Sequence, residues 1–295
     1  MSTARETVRI QKYHGTGNDF LIVDDDTTVY DRRAFAERYC DRETGLDDPK
    51  SDRRGADGVL FLDLTTRFSP PRIVMTLVQP DGSVAEMCGN GARCAAAWAH
   101  ETVDSDEFMI DTPAGTRHAT IDGETITIEM GTPAFDPGAI PLSGDRTAAL
   151  IETEIEGLTV TAVNTGVPHA VAFVDAVETV DLDTIAPPVR HAGVFSQGAN
   201  VTIASLKDPD DPAAGYDQRT FERGVEGETR SCGTGAVAIV AAARRTGRLE
   251  TSEPVTVSPP GGDLEIVVHD RGPATLSGPV EHEFDTEVPL GAPNE

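Results

Sequence analysis

Hydrophobicity along the chain follows two rhythms. Two stretches are apolar on every side: MCGNGARCAAAWAH at 87–100 and SCGTGAVAIVAAA at 231–243. Alanine-rich runs without a polar stripe predict helices over about 90–100 and 234–246, each buried against a sheet. The chain after each helix has the other rhythm. FMIDTPAGTRHATIDGETITIEMGTPAF follows the first, and VTVSPPGGDLEIVVHDRGPATLSGPVEHEF the second. Each reads as strand, Pro/Gly turn, strand, second turn and strand. Residues 119–130 alternate partly around Asp122-Gly123, as a half-exposed hairpin does. The spacing of Gly115 and Gly131 recurs at Gly262 and Gly278.

One order of elements written twice predicts an internal duplication. The expected fold is α+β, with two pseudo-symmetric halves, each a curled, mostly antiparallel sheet around a central helix. The repeat places the halves at 1–132 and 133–281, with a last strand at about 282–290 joining the first half. The charged segment 41–54 reads as a surface loop.

Length and composition narrow the class. A chain of 295 residues, 38% hydrophobic, accommodates two ordinary domains with real cores. No apolar run approaches the ~18 residues that span a bilayer, and MSTARETVRIQKYHG lacks the apolar centre of a signal peptide. These features point to a soluble, cytoplasmic protein without a membrane partner. Fifty acids against 24 bases give a net charge of −26. Spread along the chain, the acids read as a solvated surface whose self-repulsion salt screens. No basic stripe exists to neutralise phosphates, which argues against nucleic acid. The four cysteines form no CxxC pair and the seven histidines no HxxxH pattern, so no metal site is expected.

The remaining question is why a thiol stands at the mouth of each helix. A helix N-terminus offers unpaired N–H groups and a partial positive charge. Glycine lets a ligand approach that backbone, so CGNG and CGTG read as cradles for an anion. Neither ends as a nucleotide P-loop does. A thiol placed there has its pKa lowered, often to roughly 3.5–7.5, and exchanges protons near neutrality. Cys88 and Cys232 are therefore candidates for a proton-transfer pair. Inverting a stereocentre requires a proton to leave one face and another to arrive on the opposite face, and two thiols do this without either crossing the substrate. Cys94 has Val237 at its place in the second copy, so Cys94 and Cys40 read as packing residues.

Five motifs, in order, carry a resemblance: KYHGTGNDFLIVD from Lys12, PDGSVAEMCGNGARC from Pro80, NTGVPHAV from Asn164, GANVTI from Gly198 and FERGVEGETRSCGTGA from Phe221. Together they resemble the diaminopimelate epimerase family. The resemblance implies interconversion of LL- and meso-diaminopimelate in lysine biosynthesis, with no cofactor, in a homodimer. It implies that Cys88 and Cys232 are the catalytic pair, with His169 and Glu222 also important for catalysis. It further implies that Asn18, Gly89-Asn90, Asn200, Glu222-Arg223 and Gly233-Thr234 bind the substrate. A zwitterionic distal end needs one acid and one base, as Glu222-Arg223 supplies. Phe284 falls where the resemblance expects a dimer contact, and His14 where a loop is supported. Three positions depart from the family pattern: Gly58 and Val167 stand where a side-chain amide is usual, and Gln79 where it is shorter. Asn164 is positioned to compensate for Val167.

Rival readings are a proline or hydroxyproline racemase, a phenazine-biosynthesis-like isomerase and, from another class, a thiol redox sensor or anion-binding protein. Pyridoxal phosphate is disfavoured. Of the three lysines, Lys12 precedes the first motif, and Lys50 and Lys207 lie in charged loops.

Overall fold

The computed structural model describes residues 7–144 and 146–290. The chain divides into two compact units. One holds the residues up to Ile126 and those from Pro279 onward; the other is Thr127–Gly278.

The first unit contains β1 (Thr7–Gly15), β2 (Asn18–Asp24), α1 (Arg32–Cys40), β3 (Gly58–Thr65), β4 (Arg72–Val78), β5 (Val84–Ala85), α2 (Gly89–Thr102), β6 (Glu107–Thr112) and β7 (Gly115–Asp122). β1 pairs antiparallel with β2, β2 parallel with β3 and β3 antiparallel with β4. β4 then runs parallel to β6, which pairs antiparallel with β7. The short β5 sits beside β4. The sheet is apolar on both faces, so β2 reads as the unbroken run FLIV and not as an alternation. Leu21 and Val23 point to a core shared with Phe35 and Ala36 of α1. Leu60 meets α2 instead, 3.3 Å from where a Cβ at Gly91 would stand.

The second unit runs β8 (Thr125–Gly131), β9 (Thr153–Ile155), β10 (Leu158–Asn164), β11 (Pro168–Phe173), α3 (Leu182–Arg190), β12 (Asn200–Leu206), β13 (Tyr216–Glu222), β14 (Gly227–Thr229), α4 (Gly233–Arg245), β15 (Val255–Ser258), β16 (Leu264–Val267) and β17 (Ala274–Gly278). Its pairings repeat those of the first unit: β10–β11 antiparallel, β11–β12 parallel, β12–β13 antiparallel, β13–β15 parallel and β15–β16 antiparallel. β14 sits beside β13 as β5 sits beside β4. α3 and α4 occupy the same places in the order as α1 and α2. Leu182, Ala186 and Val189 of α3 pack on Val201, Ile203 and Phe221. Each fully buried Leu, Val, Ile or Phe side chain contributes roughly 1.5–3 kcal/mol.

The division falls within β8, which pairs with β17. It stands a few residues ahead of the 132/133 turn suggested by the repeat. The last strand, β18 (Glu281–Pro289), pairs antiparallel with β1. Both central helices are buried as their composition predicts: every residue of α4 from Gly233 to Ala243 is buried, and all but Ala97 in α2 from Gly89 to Ala99. No helix among the described residues is long and apolar enough to cross a membrane.

Phe284 is 2% exposed in the single chain. It lies under Lys12, with Nζ 6.0 Å from the ring centroid. It is a core residue of the first unit and offers no surface for a dimer contact.

Candidate active site

Cys88 is the N-cap of α2 and Cys232 the N-cap of α4. An N-cap residue has extended backbone and directs its side chain at the orphan N–H groups of the first turn. Here a thiol takes the place usually held by Ser, Thr or Asp. The Gly91 N–H donates to Cys88 Sγ at 3.3 Å. Cys232 Sγ lies 3.4 Å from Thr234 Oγ1.

Around Cys88 the first unit gathers Asn18, Gly89 and Asn90. Asn18 opens β2, after a turn in which Thr16 and Gly17 have positive φ. Its Oδ1 stands 3.8 Å from Cys88 Sγ and accepts from Asn90 Nδ2 at 3.2 Å. Its Nδ2 donates to Asp57 Oδ2 at 2.7 Å. Behind Asn18 lies an ionic cluster that composition does not announce. Asp19 is ion-paired to Lys12 Nζ at 2.9 Å, Arg42 at 2.6 Å and Arg53 at 3.3 Å. Arg42 also pairs with Asp57. These cations hold the Asp19 carboxyl well below the usual carboxylate range despite its burial. Burial, followed by the neighbouring Asp19 charge, pushes Asp57 upward. Segment 41–54 is a loop, as expected, but its Arg42 and Arg53 turn inward. Lys12 is 1% exposed.

Around Cys232 the second unit gathers His169, Asn200, Gly233 and Thr234, with Glu222 and Arg223 at the end of β13. His169 is fully buried. Its Nε2 lies 3.0 Å from Thr234 Oγ1, and its Nδ1 3.0 Å from Thr202 Oγ1. Burial, reinforced by the Arg223 charge, pushes its pKa down to about 3, so the ring is neutral at pH 7. The neutral ring bridges the Thr202 and Thr234 hydroxyls. Asn200 Oδ1 accepts from the Arg223 N–H at 2.8 Å, while its Nδ2 lies 3.4 Å from His169 Nε2. Glu222 accepts from the Thr229 hydroxyl. Arg223 Nη1 donates to the Gln197 carbonyl at 3.3 Å.

Behind His169 stands a polar set missing from the sequence reading. Thr202 Oγ1 lies 3.2 Å from Thr220 Oγ1, and Gln218 Nε2 donates to Thr220 Oγ1 and the Cys232 carbonyl, both at 3.0 Å. The available signal was Thr202, Gln218 and Thr220 interrupting otherwise apolar strand positions. Cys40 and Cys94 are wholly buried, and burial raises both thiols far out of reach of neutral pH. No cluster that could hold a metal ion occurs among the described residues.

The profile of the family described as Diaminopimelate epimerase matches residues 10–135 and 161–283. A diaminopimelate epimerase of Methanocella arvoryzae is 40% identical over 292 residues, covering 95% of this chain and 96% of that one. Another, of Methanothrix thermoacetophila, is 42% identical over 264 residues, covering 86% and 87%. The chain belongs to the diaminopimelate epimerase family. It is an amino-acid epimerase, an isomerase.

Solved structures repeat the α+β fold outside the diaminopimelate epimerases. A Bacillus anthracis phenazine biosynthesis protein of the PhzF family superposes with a TM-score of 0.67 at 17% identity, covering 96% of this chain and 99% of that one. A hydroxyproline epimerase from Agrobacterium vitis gives 0.64 at 19%, covering 98% and 95%.

The departures from the diaminopimelate epimerase pattern have local causes. A Cβ at Gly58 would lie 2.5 Å from Leu77 Cδ1, so a side chain there would require Leu77 to move. Gln79 Oε1 accepts from Ser83 Oγ at 3.0 Å within its own turn. Asn164 is spent on backbone: Nδ2 donates to the Ala139 carbonyl at 2.6 Å, and Oδ1 accepts from the Gly166 N–H at 2.8 Å. Its polar atoms are thus committed beside Val167.

Proposed function

We propose that this protein interconverts LL- and meso-diaminopimelate by moving a proton at one α-carbon between Cys88 and Cys232, without an organic cofactor, as a step of lysine biosynthesis. The observation that carries this reading is the duplicated thiol cap: each half of a repeated fold sets one cysteine at the mouth of a buried helix. The family supplies the substrate. The pair supplies the stereochemistry, because each thiol serves one face of the carbon.

In one direction one cysteine acts as thiolate and takes the α-proton, while its partner, as thiol, delivers a proton to the opposite face. The reverse reaction exchanges the roles. The first-turn N–H groups of Gly89-Asn90 and Gly233-Thr234 hold the α-carboxylate and steady the charge that develops as the carbon is deprotonated. Asn18 and Asn200 add side-chain amides. Glu222 and Arg223 bind the distal ammonium and carboxylate, which sets diaminopimelate apart from proline. His169 fixes the Thr234 hydroxyl beside Cys232. We assign the enzyme to the cytoplasm, as a homodimer.

The variants Cys88→Ser and Cys232→Ser, assayed fully reduced, test the pair. Each should lose at least 100-fold in turnover. A thiol sensor or anion-binding protein would lose only its redox response, and retained epimerisation in either variant would contradict the reading.

A further inference from the structure

The Cys88 half-site contains one charge that the proposed mechanism does not use. Arg93 lies one turn into α2 and is fully buried. Among the described residues its guanidinium meets only neutral oxygens. Nη2 donates to Asn90 Oδ1 at 2.7 Å and Thr16 Oγ1 at 3.2 Å, and Nη1 donates to the Pro279 carbonyl at 2.6 Å. Its Nε has no partner. Among the described residues no carboxylate pairs with it. Burial lowers its pKa only to about 10, so it remains a cation at pH 7.

An uncompensated buried cation is costly, and a fold retains one at the expense of stability. The charged groups on the elements around α2 that are not exposed already have partners, and Asp24, Asp63 and Asp122 of β2, β3 and β7 are exposed. Asp19 takes Lys12 and Arg42, and Asp57 takes Arg42 and Arg53. On the remaining strands Arg72 pairs with Asp111, His118 with Glu107, and His14 with Glu281. Tyr13 donates to Glu101, and Arg117 to the Thr116 and Ala114 carbonyls. The groups that would carry negative charge toward Arg93 are the thiols Cys94 and Cys88. Cys94 is sealed in the core and stays protonated. Cys88 is partly exposed and already accepts an N–H from its own helix.

We propose that Arg93 is a positioning residue of the Cys88 half-site: its fixed charge favours the Cys88 thiolate, and its donor-only fork holds the Asn90 amide in one orientation. The second effect follows from hydrogen-bond polarity. A guanidinium only donates, so it claims Asn90 Oδ1 and turns Nδ2 to Asn18 Oδ1. At the other end the Asp57 carboxylate claims Asn18 Nδ2. Both amides are thereby fixed, with Asn18 Oδ1 beside the sulfur. The protonated thiol directs its S–H to that oxygen; the thiolate keeps the Gly91 N–H and gains the Arg93 charge. The half-site accommodates both states through which a proton-exchanging thiol must pass.

The inference deepens the two-thiol reading and rests on it, but its test needs no substrate, so the two fail separately. Reduced protein is alkylated with iodoacetamide across a pH series, and modification at Cys88 is followed by peptide mass spectrometry, with fragmentation resolving it from Cys94. In the natural protein the midpoint for Cys88 should fall below the free-thiol value of about 8.5. In Arg93→Gln the midpoint should rise by about one unit or more, slowing alkylation about tenfold at a pH below both midpoints. Arg93→Lys, which keeps the charge, should stay within about threefold of the natural rate. A natural midpoint at or above the free-thiol value overturns the proposal without any variant, which covers the case of Arg93→Gln failing to fold. An unchanged midpoint in Arg93→Gln, even with faster overall labelling from a loosened helix, also overturns it, as does Arg93→Lys behaving like Arg93→Gln.

Discussion

Lys12 and Asp19 show how far a residue's environment can depart from its type. Lysine and aspartate are seldom fully buried, yet here they are 1% and 2% exposed and 2.9 Å apart. Asp19→Asn would leave Lys12 buried beside a neutral amide, and removing one partner of a buried pair costs about 3–5 kcal/mol. Denaturant unfolding at pH 7 should show a loss of about 3 kcal/mol. The Asp19 pKa is depressed in the folded protein, so its contribution is present above the unfolded value of about 4 and is lost as pH falls through the folded one. The gap between natural protein and variant should therefore narrow below pH ~4. A gap that persists unchanged to pH 2 would show that the charge is not what matters. This cluster was not legible in the sequence. Its members lie far apart along the chain, and 41–54 has the composition of a solvated loop. Arg93 was visible, as the single charge in a helix otherwise free of them until its end, but the pattern did not say what it faced. The cysteines were legible because their motif occurs twice.

The helices α2 and α4 carry the site because they are smooth. Alanine and glycine let each pack closely against its sheet, and the same composition made both helices readable. Their observed starts, Gly89 and Gly233, fall one residue before the expected 90 and 234, since a thiol cap leaves its glycine inside the first turn. At Gly235 the fit is close. A Cβ there would stand 2.7 Å from Gln218 Nε2, 3.1 Å from Thr220 Oγ1 and 3.2 Å from Thr202 Oγ1. Gly235→Ala should thus push α4 away from the polar set that supports His169. Overpacking of this kind costs about 1–3 kcal/mol. Steady-state kinetics should show kcat reduced at least tenfold with a smaller change in KM, and melting should shift downward. Unchanged kinetics would mean that the support behind His169 tolerates displacement. The polar set left only a partial signal, its interruption of apolar strand positions, because which face of β12 and β13 meets a helix is decided by tertiary pairing.

Across the whole molecule, duplication explains most of what the sequence disclosed. The order antiparallel, parallel, antiparallel, parallel, antiparallel occurs in both units. Repeated turns and repeated helices therefore forecast the fold without any knowledge of strand partners. The halves have nonetheless diverged around their thiols. Cys88 stands among amides backed by charged groups, whereas Cys232 stands beside a hydroxyl backed by a neutral histidine. Two such thiols are useful to an epimerase only if each handles its own proton. A thiol carries one hydrogen, so a single base would return to the product the proton it had just removed. A pair keeps the substrate's proton on one sulfur and delivers a solvent-derived proton from the other. The direct measurement is epimerisation of LL-diaminopimelate by reduced protein in deuterated water at low conversion, read by mass spectrometry and proton NMR. Two thiols predict about one deuterium at the inverted α-carbon of the meso product and none in the recovered LL substrate. A product that retains protium at that carbon would contradict the account.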